Sequence, residues 1–195
     1  MKKIGLLFVI AGFLTAGYAG VQLFDAKKQT DENLALAEKI VAAKQPPRSE
    51  EREVASSPER TFSEGEVIGV LQLPALGEKL PIIEGTDEDE LAQGVGHYSG
   101  TAFPGQKDQI LLSGHRDTVF RRLGELRPGD ELVVEMETGS FRYRIDETEI
   151  VGADDTSVIR STAPDEVLTV STCYPFGYIG NAPDRYIIYA KRVEE

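Results

Sequence analysis

Residues 166–177 read EVLTVSTCYPFG, and this stretch decides the fold prediction. It opens with apolar and β-branched residues, a composition that favours a strand. Cys173 stands at the end of the run, and Pro175 and Gly177 then end the strand. The stretch therefore predicts a strand that delivers a cysteine to the edge of a loop.

Cys173 is the one cysteine of the 195 residues. A lone cysteine forms no internal disulfide and supplies no Cys-based zinc site. Two interpretations stay open on composition alone. Cys173 is either a nucleophile at a strand end or a small buried core residue, since free cysteine is among the most buried residue types.

Each of the two histidines is a candidate partner for the thiol. His115 follows the apolar run 109–113 (QILLS), at a second strand end. A thiol becomes a useful nucleophile when a neighbour accepts its proton or stabilises its thiolate, and histidine is the usual agent. The alternative for His115 is a surface loop residue. His97 lies in the glycine-rich segment 94–100, where it is either the base or a structural hydrogen-bonding group.

Arg185 opens the last apolar run of the chain, after Cys173. A cation there would stabilise a thiolate or a developing oxyanion. A phosphatase-type loop would place an arginine six residues after the cysteine, but position 179 is Ile. The spacing of Cys, His and carboxylates also lacks the pattern of a zinc site.

Short runs rich in β-branched and aromatic residues recur through the region 61–195. They span 67–73, 80–83, 109–113, 131–135, 140–144, 149–151, 166–171 and 185–190. Residues 136–139 favour a hairpin turn, and 87–93 a short helix capped by Thr86 with Asp89 in the capping-box position. We predict an all-β domain, a closed or nearly closed eight-stranded β-barrel with short connecting helices, and a β-sandwich is the alternative.

The N-terminal residues 4–24 carry no charge and are rich in Leu, Ile, Phe, Val, Ala and Gly. At about 1.5 Å per residue, a helix of this length crosses a hydrocarbon core of roughly 30 Å. A cleaved signal peptide is the alternative, although residues 16–19 match a cleavage site poorly. Lysines flank both ends, at positions 2, 3, 27 and 28, so they do not decide the orientation.

Between this segment and the strands, the chain reads as a spacer. Apolar residues in 30–44 recur at helical spacing, and 45–58 contains prolines, serines and charges without periodicity. The predicted organisation is a membrane anchor at 1–24, a juxtamembrane helix and linker at 25–60, and a folded β-domain at 61–195. A net charge of −12 argues against nucleic acid as a partner.

Three blocks together carry a family resemblance: SGHRDT at 113–118, LTVSTC at 168–173 and APDR at 182–185. In this order they resemble the sortases, a family of cysteine transpeptidases. Two further blocks, GVGHY at 94–98 and CYPF at 173–176, look most like class D members. The resemblance covers about residues 65–195.

The resemblance implies a sortase-type eight-stranded β-barrel and assigns roles to matched residues. Cys173 would attack the carbonyl of an LPxTG-like sorting signal at the C-terminus of a secreted protein and form a thioacyl enzyme. His115 would protonate the leaving amine and later deprotonate an incoming cell-wall precursor amine, while Arg185 would hold the substrate backbone and stabilise the oxyanion. No metal or cofactor is expected. The resemblance also implies a single-pass protein with its catalytic domain outside a Gram-positive cell membrane.

Substrate contacts are expected from Thr172 beside the nucleophile, from Val158, Ile159 and Ala163 in the loop before the Cys173 strand, and from the loop around His97. Apolar side chains there would contact the Leu and Pro of the signal. Two alternatives remain. The same site could act as a plain hydrolase with water as acceptor, or the chain could be a non-catalytic, membrane-tethered barrel that binds peptides.

Overall fold

The protein is described by a computed structural model that covers residues 2–43, 61–178 and 180–193. Eight strands occur in this part of the chain: β1 Val67–Leu73, β2 Glu78–Glu84, β3 Val95–His97, β4 Gln109–Ser113, β5 Glu131–Met136, β6 Gly139–Gly152, β7 Val167–Tyr174 and β8 Asp184–Arg192. The helices are α1 Lys2–Ala42, α2 Glu88–Gln93 and a 3₁₀ turn at Leu123–Glu125.

The strands close into a barrel in the order β1-β2-β3-β4-β7-β8-β6-β5, and β5 pairs back onto β1. Two pairs are parallel, β2 with β3 and β4 with β7, and the other pairs are antiparallel. The predicted barrel is confirmed, because closure leaves no second sheet of the kind a sandwich needs.

One contiguous apolar core fills the barrel. On β7, Leu168 and Val170 belong to this core. Because successive side chains of a strand point to opposite faces, Thr169, Ser171 and Cys173 lie on the outer face of β7. Cys173 is therefore not a core residue of the barrel interior.

Two strand predictions were wrong in detail. The runs at 140–144 and 149–151 form one long strand, β6, because its first part pairs with β5 and its second part with β8. The polar residues between the runs, 146–148, are exposed, and Glu147 and Thr148 still pair with β8 through their backbone. Strand β3 was missed, since it is short and lies in the glycine-rich segment. A Cβ at Gly96 would lie 2.3 Å from the Gly85 carbonyl oxygen, so this strand requires glycine there.

The local turns are partly as expected. The β5–β6 hairpin is confirmed, and Met136 pairs with Gly139 across it. The α2 cap was assigned wrongly. The helix begins at Glu88 with the extended Asp87 as its N-cap and no side-chain cap hydrogen bond, so Thr86 lies outside the cap.

Helix α1 is continuous over Lys2–Ala42 and joins the two predicted N-terminal segments. Its C-terminal part docks on the barrel, where Ala37 and Val41 pack against Val70. Within the described residues, no helix has both the length and the apolar character needed to cross a membrane. The anchor predicted at 1–24 and the domain boundaries stay predictions, and the linker predicted at 45–58 lies outside the described residues.

Candidate active site

Cys173 and Arg185 are direct neighbours across the β7–β8 pair. The antiparallel register places Cys173 opposite Arg185. Directly opposed residues share a face, with Cβ atoms about 4.5–5.5 Å apart. Both residues are half-buried, so the thiol and the guanidinium lie on the outer face at one end of the barrel.

His115 reaches the same end through the parallel β4–β7 pair. Ser113 and Ser171 are the last paired residues, and His115 and Cys173 each lie two positions beyond them. The Gly114 N–H donates to the Ser171 carbonyl at 3.2 Å. The three predicted catalytic residues therefore lie at one rim, where β4 and β7 end and the adjacent strand β8 begins.

Thr172 links strand β7, which carries Cys173, to the loop that carries His115. Its side chain is buried, and Oγ1 donates to the Gly114 carbonyl over 2.7 Å. The prediction that Thr172 contacts substrate is therefore corrected, because it lies on the inner face of β7 with its hydroxyl already engaged. It holds the backbone on both sides of the site instead.

Gly114 allows the histidine loop to turn tightly. A Cβ at this position would lie 2.7 Å from side-chain atoms of Val119 and Phe120. The His115 carbonyl then accepts the backbone N–H of Phe120 at 3.0 Å. A larger residue before His115 would displace the loop, so glycine here fixes the point from which the imidazole starts.

An aromatic cluster closes the inner side of the barrel beneath the site. Tyr174 and Tyr186 directly follow Cys173 and Arg185, and with Phe176 they form ring contacts between 5.4 and 6.2 Å. Phe176 and Tyr186 also pack on the core. Sequence analysis missed this cluster, although strand alternation places the residue after each outward side chain on the inner face.

His97 is not at this rim. It is 1% exposed, and its Nδ1 lies 2.7 Å from Glu84 Oε2. Nε2 lies 3.1 Å from the Ala102 carbonyl oxygen, and the ring stacks on Phe103 with centroids 4.4 Å apart. The structure corrects the substrate-binding prediction for His97 and supports the structural alternative, because every side of the ring is occupied within the protein.

The β6–β7 loop, residues 153–166, covers the outer face of the barrel. Val158 is buried against Val151, Ile187 and Tyr189. Its prediction as a substrate contact is corrected, since the side chain is not accessible. Ile159 is 38% exposed, and its contact with substrate stays a prediction.

This loop is pinned to the beginning of β4. The Gln109 amide donates to the Val158 carbonyl at 2.7 Å and to Thr169 Oγ1 at 3.0 Å. Asp108 accepts the N–H groups of Thr162 and Ala163 at 2.6 and 3.2 Å. The backbone N–H groups of Gln109 and Thr162 hold the Asp108 pKa below its ordinary value.

The pinned loop limits the open outer face of β7. Thr169 is completely buried beneath it, whereas Ser171 and Cys173 are half-buried. Cys173 lies four positions beyond Thr169 along the strand, which corresponds to roughly 13 Å. The side chain of Ala163 is exposed, but its backbone contact with Asp108 lies towards the end of β4 opposite His115.

One acidic group among the described residues could hold a cation. The carboxylates of Glu64, Asp87 and Glu90 each place an oxygen within 4.8 Å of the others. The group lies around the start of α2 and shares no residue with the rim that carries Cys173. Exposed acidic groups are common without an ion, so the expectation of no metal or cofactor stays a prediction.

Comparison with known proteins agrees with this geometry. The sortase domain family matches residues 71–193. Sortase D of Bacillus subtilis (strain 168) is 46% identical over 199 residues, covering 99% of this chain and 100% of that protein. Sortase SrtE1 of Streptomyces coelicolor is 31% identical over 153 residues, covering 69% of this chain and 43% of that protein.

Solved structures agree as well. A sortase D5 transpeptidase of Clostridium perfringens matches with a TM-score of 0.68 and 25% identity, over 86% of this chain and 99% of that one. The SrtA sortase of Actinomyces oris matches with a TM-score of 0.63 and 30% identity, over 72% and 87% of the two chains. Because the sortase domain family matches residues 71–193 and Sortase D matches nearly the whole chain, this chain belongs to the sortase family of cysteine transpeptidases.

Proposed function

We propose that this sortase cleaves an LPxTG-like sorting signal of secreted proteins through a thioacyl intermediate and transfers them to a cell-wall amine. The observation that carries the proposal is the strand register. It sets Cys173 opposite Arg185, and His115 starts at the same rim from the adjacent strand.

In the first half-reaction, the Cys173 thiolate attacks the carbonyl carbon of the signal threonine. A carbon–sulfur bond forms, and the threonine–glycine amide bond breaks. The leaving amine takes a proton from His115, because an amine anion is too poor a leaving group to depart unprotonated. The acyl part of the secreted protein remains on Cys173 as a thioester.

In the second half-reaction, an acceptor amine attacks the thioester. His115 removes a proton from this amine, a new amide bond forms, and the thiolate leaves. The site returns to its starting protonation state, because His115 loses one proton and gains one per cycle. Water in place of the amine gives hydrolysis, so the balance of products depends on which nucleophile reaches the thioester first.

Arg185 acts on the charge that develops at the carbonyl oxygen in both steps. In the structure one of its nitrogens, Nη1, donates to the Asp184 carbonyl at 3.1 Å. That bond orients the guanidinium and leaves its other N–H groups for the substrate. Donors aimed at a developing oxyanion stabilise the transition state more than the ground state.

We propose that an extended substrate peptide lies along the outer face of β7 and β4, beginning at Cys173. Along this path, called the groove below, Ser171 and Ser113 would lie beneath the peptide, and the β6–β7 loop over Thr169 would bound the end away from Cys173. An extended peptide rises about 3.3 Å per residue, so the leucine three positions before the threonine reaches roughly 10 Å from Cys173. This distance favours contact between the leucine and the loop around Ile159.

We also propose that α1 holds the catalytic barrel at the outer surface of a cell membrane. Apolar side chains are open to solvent along the first part of the described helix: Phe13, Leu14, Tyr18, Val21 and Phe24 are each at least 59% exposed. A row of this kind marks a surface that meets another apolar phase. Fractionation of cells that express the full chain, with and without residues 1–24, tests this placement.

Mass spectrometry with Leu-Pro-x-Thr-Gly peptides tests the chemistry. Full-length protein incubated with peptide at low amine concentration should carry a Leu-Pro-x-Thr acyl group on Cys173. A panel of added amines should then replace the hydrolysis product with amide products. Cys173→Ala is the control, and peptide cleavage by this variant, or binding without an adduct by the wild type, would contradict the proposal.

A further inference from the structure

Arg116, the residue after His115, is a buried arginine whose contacts cross the site. It is 7% exposed. Its Nη1 donates to the Pro175 carbonyl at 3.2 Å, and Nη2 donates to the carbonyls of Tyr178 and Gly180 at 2.8 and 2.9 Å. One side chain therefore reaches three backbone positions that lie far along the sequence.

All three carbonyls belong to the β7–β8 loop, residues 175–183, which leads from the strand of Cys173 to the strand of Arg185. Arg116 itself belongs to the loop of His115. The guanidinium thus ties the loop of the acid–base residue to the loop between the nucleophile and the oxyanion cation. Its carbon Cζ also lies 5.8 Å from the centre of the Tyr178 ring, which adds a cation–π contact.

The three loop carbonyls offset much of the cost of burying the positive charge of Arg116. Asp117 Oδ2 lies 3.6 Å from Arg116 Nε, but that carboxylate is 71% exposed and hence screened by solvent. In the described part of the chain, Nε has no hydrogen-bond partner. Since a buried charge needs oriented dipoles or a counter-ion, the position of Arg116 and the conformation of the β7–β8 loop depend on each other.

We infer that Arg116 is a positioning residue for the transfer reaction: its forked hydrogen bonds hold the β7–β8 loop against the His115 loop, so that Cys173, His115 and Arg185 keep one geometry. This inference rests on the proposed function for its consequence in turnover. A lysine at this position would keep the charge but cannot reproduce a planar fork to three carbonyls.

The test compares Arg116→Ala and Arg116→Lys with Arg122→Ala in the full-length protein. Arg122 is a matched control, because it also bridges two segments, by a bond to the Leu76 carbonyl and an ion pair with Glu125, but outside the site. Turnover is expressed per reactive Cys173 thiol in folded protein, counted by irreversible alkylation and multiplied by the folded fraction from urea unfolding of the same samples. The second factor is needed because an unfolded chain also presents a thiol that can be alkylated.

We expect kcat per reactive thiol to fall about 100-fold in Arg116→Ala and at least about 10-fold in Arg116→Lys, as misplacement of reacting groups by about 1 Å does. Arg122→Ala should stay within about two-fold of the wild type. Added methylguanidine should restore part of the Arg116→Ala rate, whereas methylammonium should not. Equal rates per thiol in wild type and Arg116→Ala would overturn the inference, as would equal restoration by both cations.

A second readout does not depend on peptide turnover. The rate constant for alkylation of Cys173 by iodoacetamide at pH 7 reports the surroundings of the thiol directly. We expect Arg116→Ala and Arg116→Lys to change it in the same direction as His115→Ala, and Arg122→Ala to leave it unchanged. If the wild type cleaves no sorting peptide, the proposed function fails. If Arg116 variants alkylate as the wild type does, the positioning inference fails.

Discussion

His97 precedes strand β4 in the chain and His115 follows it, and the two rings have opposite kinds of surroundings. His97 sits on β3, pairs with Leu112 of β4 and is 1% exposed. His115 follows the end of β4 and is half-buried at the rim, next to the strand end of Cys173. A ring enclosed by fixed partners stabilises the fold, whereas a ring at the rim can exchange a proton with a bound substrate.

The surroundings of His97 form a closed polar network. Both oxygens of Glu84 are used, Oε2 by His97 at 2.7 Å and Oε1 by the Ser99 hydroxyl at 2.8 Å. Glu84 is itself buried. Removing one member of such a network leaves a buried polar group without its partner, which is strongly destabilising. The two regions should therefore respond differently to mutation, the rim in turnover and the His97 network in stability.

The largest effect is expected from Cys173→Ala. Peptide cleavage should fall to the background rate, because the chain contains no second thiol to form the thioester. The melting temperature should change little, since Cys173 is half-buried on the outer face of β7. Thr148→Ala, at an exposed strand position of β6 outside the site, is the control and should retain cleavage. Peptide cleavage by the Cys173→Ala variant would show that Cys173 is not the nucleophile.

His115→Ala is the next largest and tests the comparison of the two histidines directly. Turnover should drop about 100- to 10,000-fold, the usual contribution of a positioned acid–base residue, with a nearly unchanged melting temperature. His97→Ala should instead lower the free energy of unfolding by about 3 kcal/mol, as expected when one partner of a buried pair is removed.

Turnover must be compared per folded molecule, from kinetics and urea unfolding on the same samples. The folded fraction of His97→Ala should then cleave peptide at close to the wild-type rate. Equal losses of turnover per folded molecule in both variants would show that burial does not separate the two roles.

Arg185→Lys should reduce turnover about 100-fold although the charge is kept. A guanidinium can direct two hydrogen bonds at once, and an ammonium does not reproduce this fork. Arg144→Lys is the matched control, since Arg144 is an exposed strand arginine paired with Glu131. A rate near that of the wild type in Arg185→Lys would show that Arg185 acts through its positive charge and not through two directed hydrogen bonds.

The residues of the rim could be predicted from the sequence because local patterns along the chain mark them. Cys173 ends one apolar run and Arg185 opens the next, and the two runs are consecutive strands that pair. The hydrogen-bond network around His97 could not be predicted from local patterns. Its carboxylate comes from β2, 13 positions earlier, and burial of the ring depends on contacts that the glycine-rich segment does not reveal.

Other misassignments have the same non-local origin. Val158 is buried because residues of β6 and β8 meet it on the outside of the barrel, which no local pattern encodes. Strand β6 was divided in the prediction, because residues 146–148 are polar and exposed although Glu147 and Thr148 still pair with β8. Arg116 was overlooked as one of 21 basic residues, and only the three carbonyls around it distinguish it.

The smallest effect is expected at Ile159, on the β6–β7 loop that bounds the end of the groove away from Cys173. If its 38% exposed side chain contacts the leucine of the signal, Ile159→Ala should lower kcat/KM about five-fold, as loss of about 1 kcal/mol of apolar contact would. Leu36→Ala, at a similarly exposed leucine on α1, should leave kcat/KM unchanged. The discriminating measurement repeats both assays with a peptide whose leucine is replaced by alanine. With that peptide the effect of Ile159→Ala should vanish, because the partner side chain is gone. A five-fold loss that persists with the alanine peptide would mean that the loop acts on the rim through its backbone, and specificity for the leucine would then have to come from another wall of the groove.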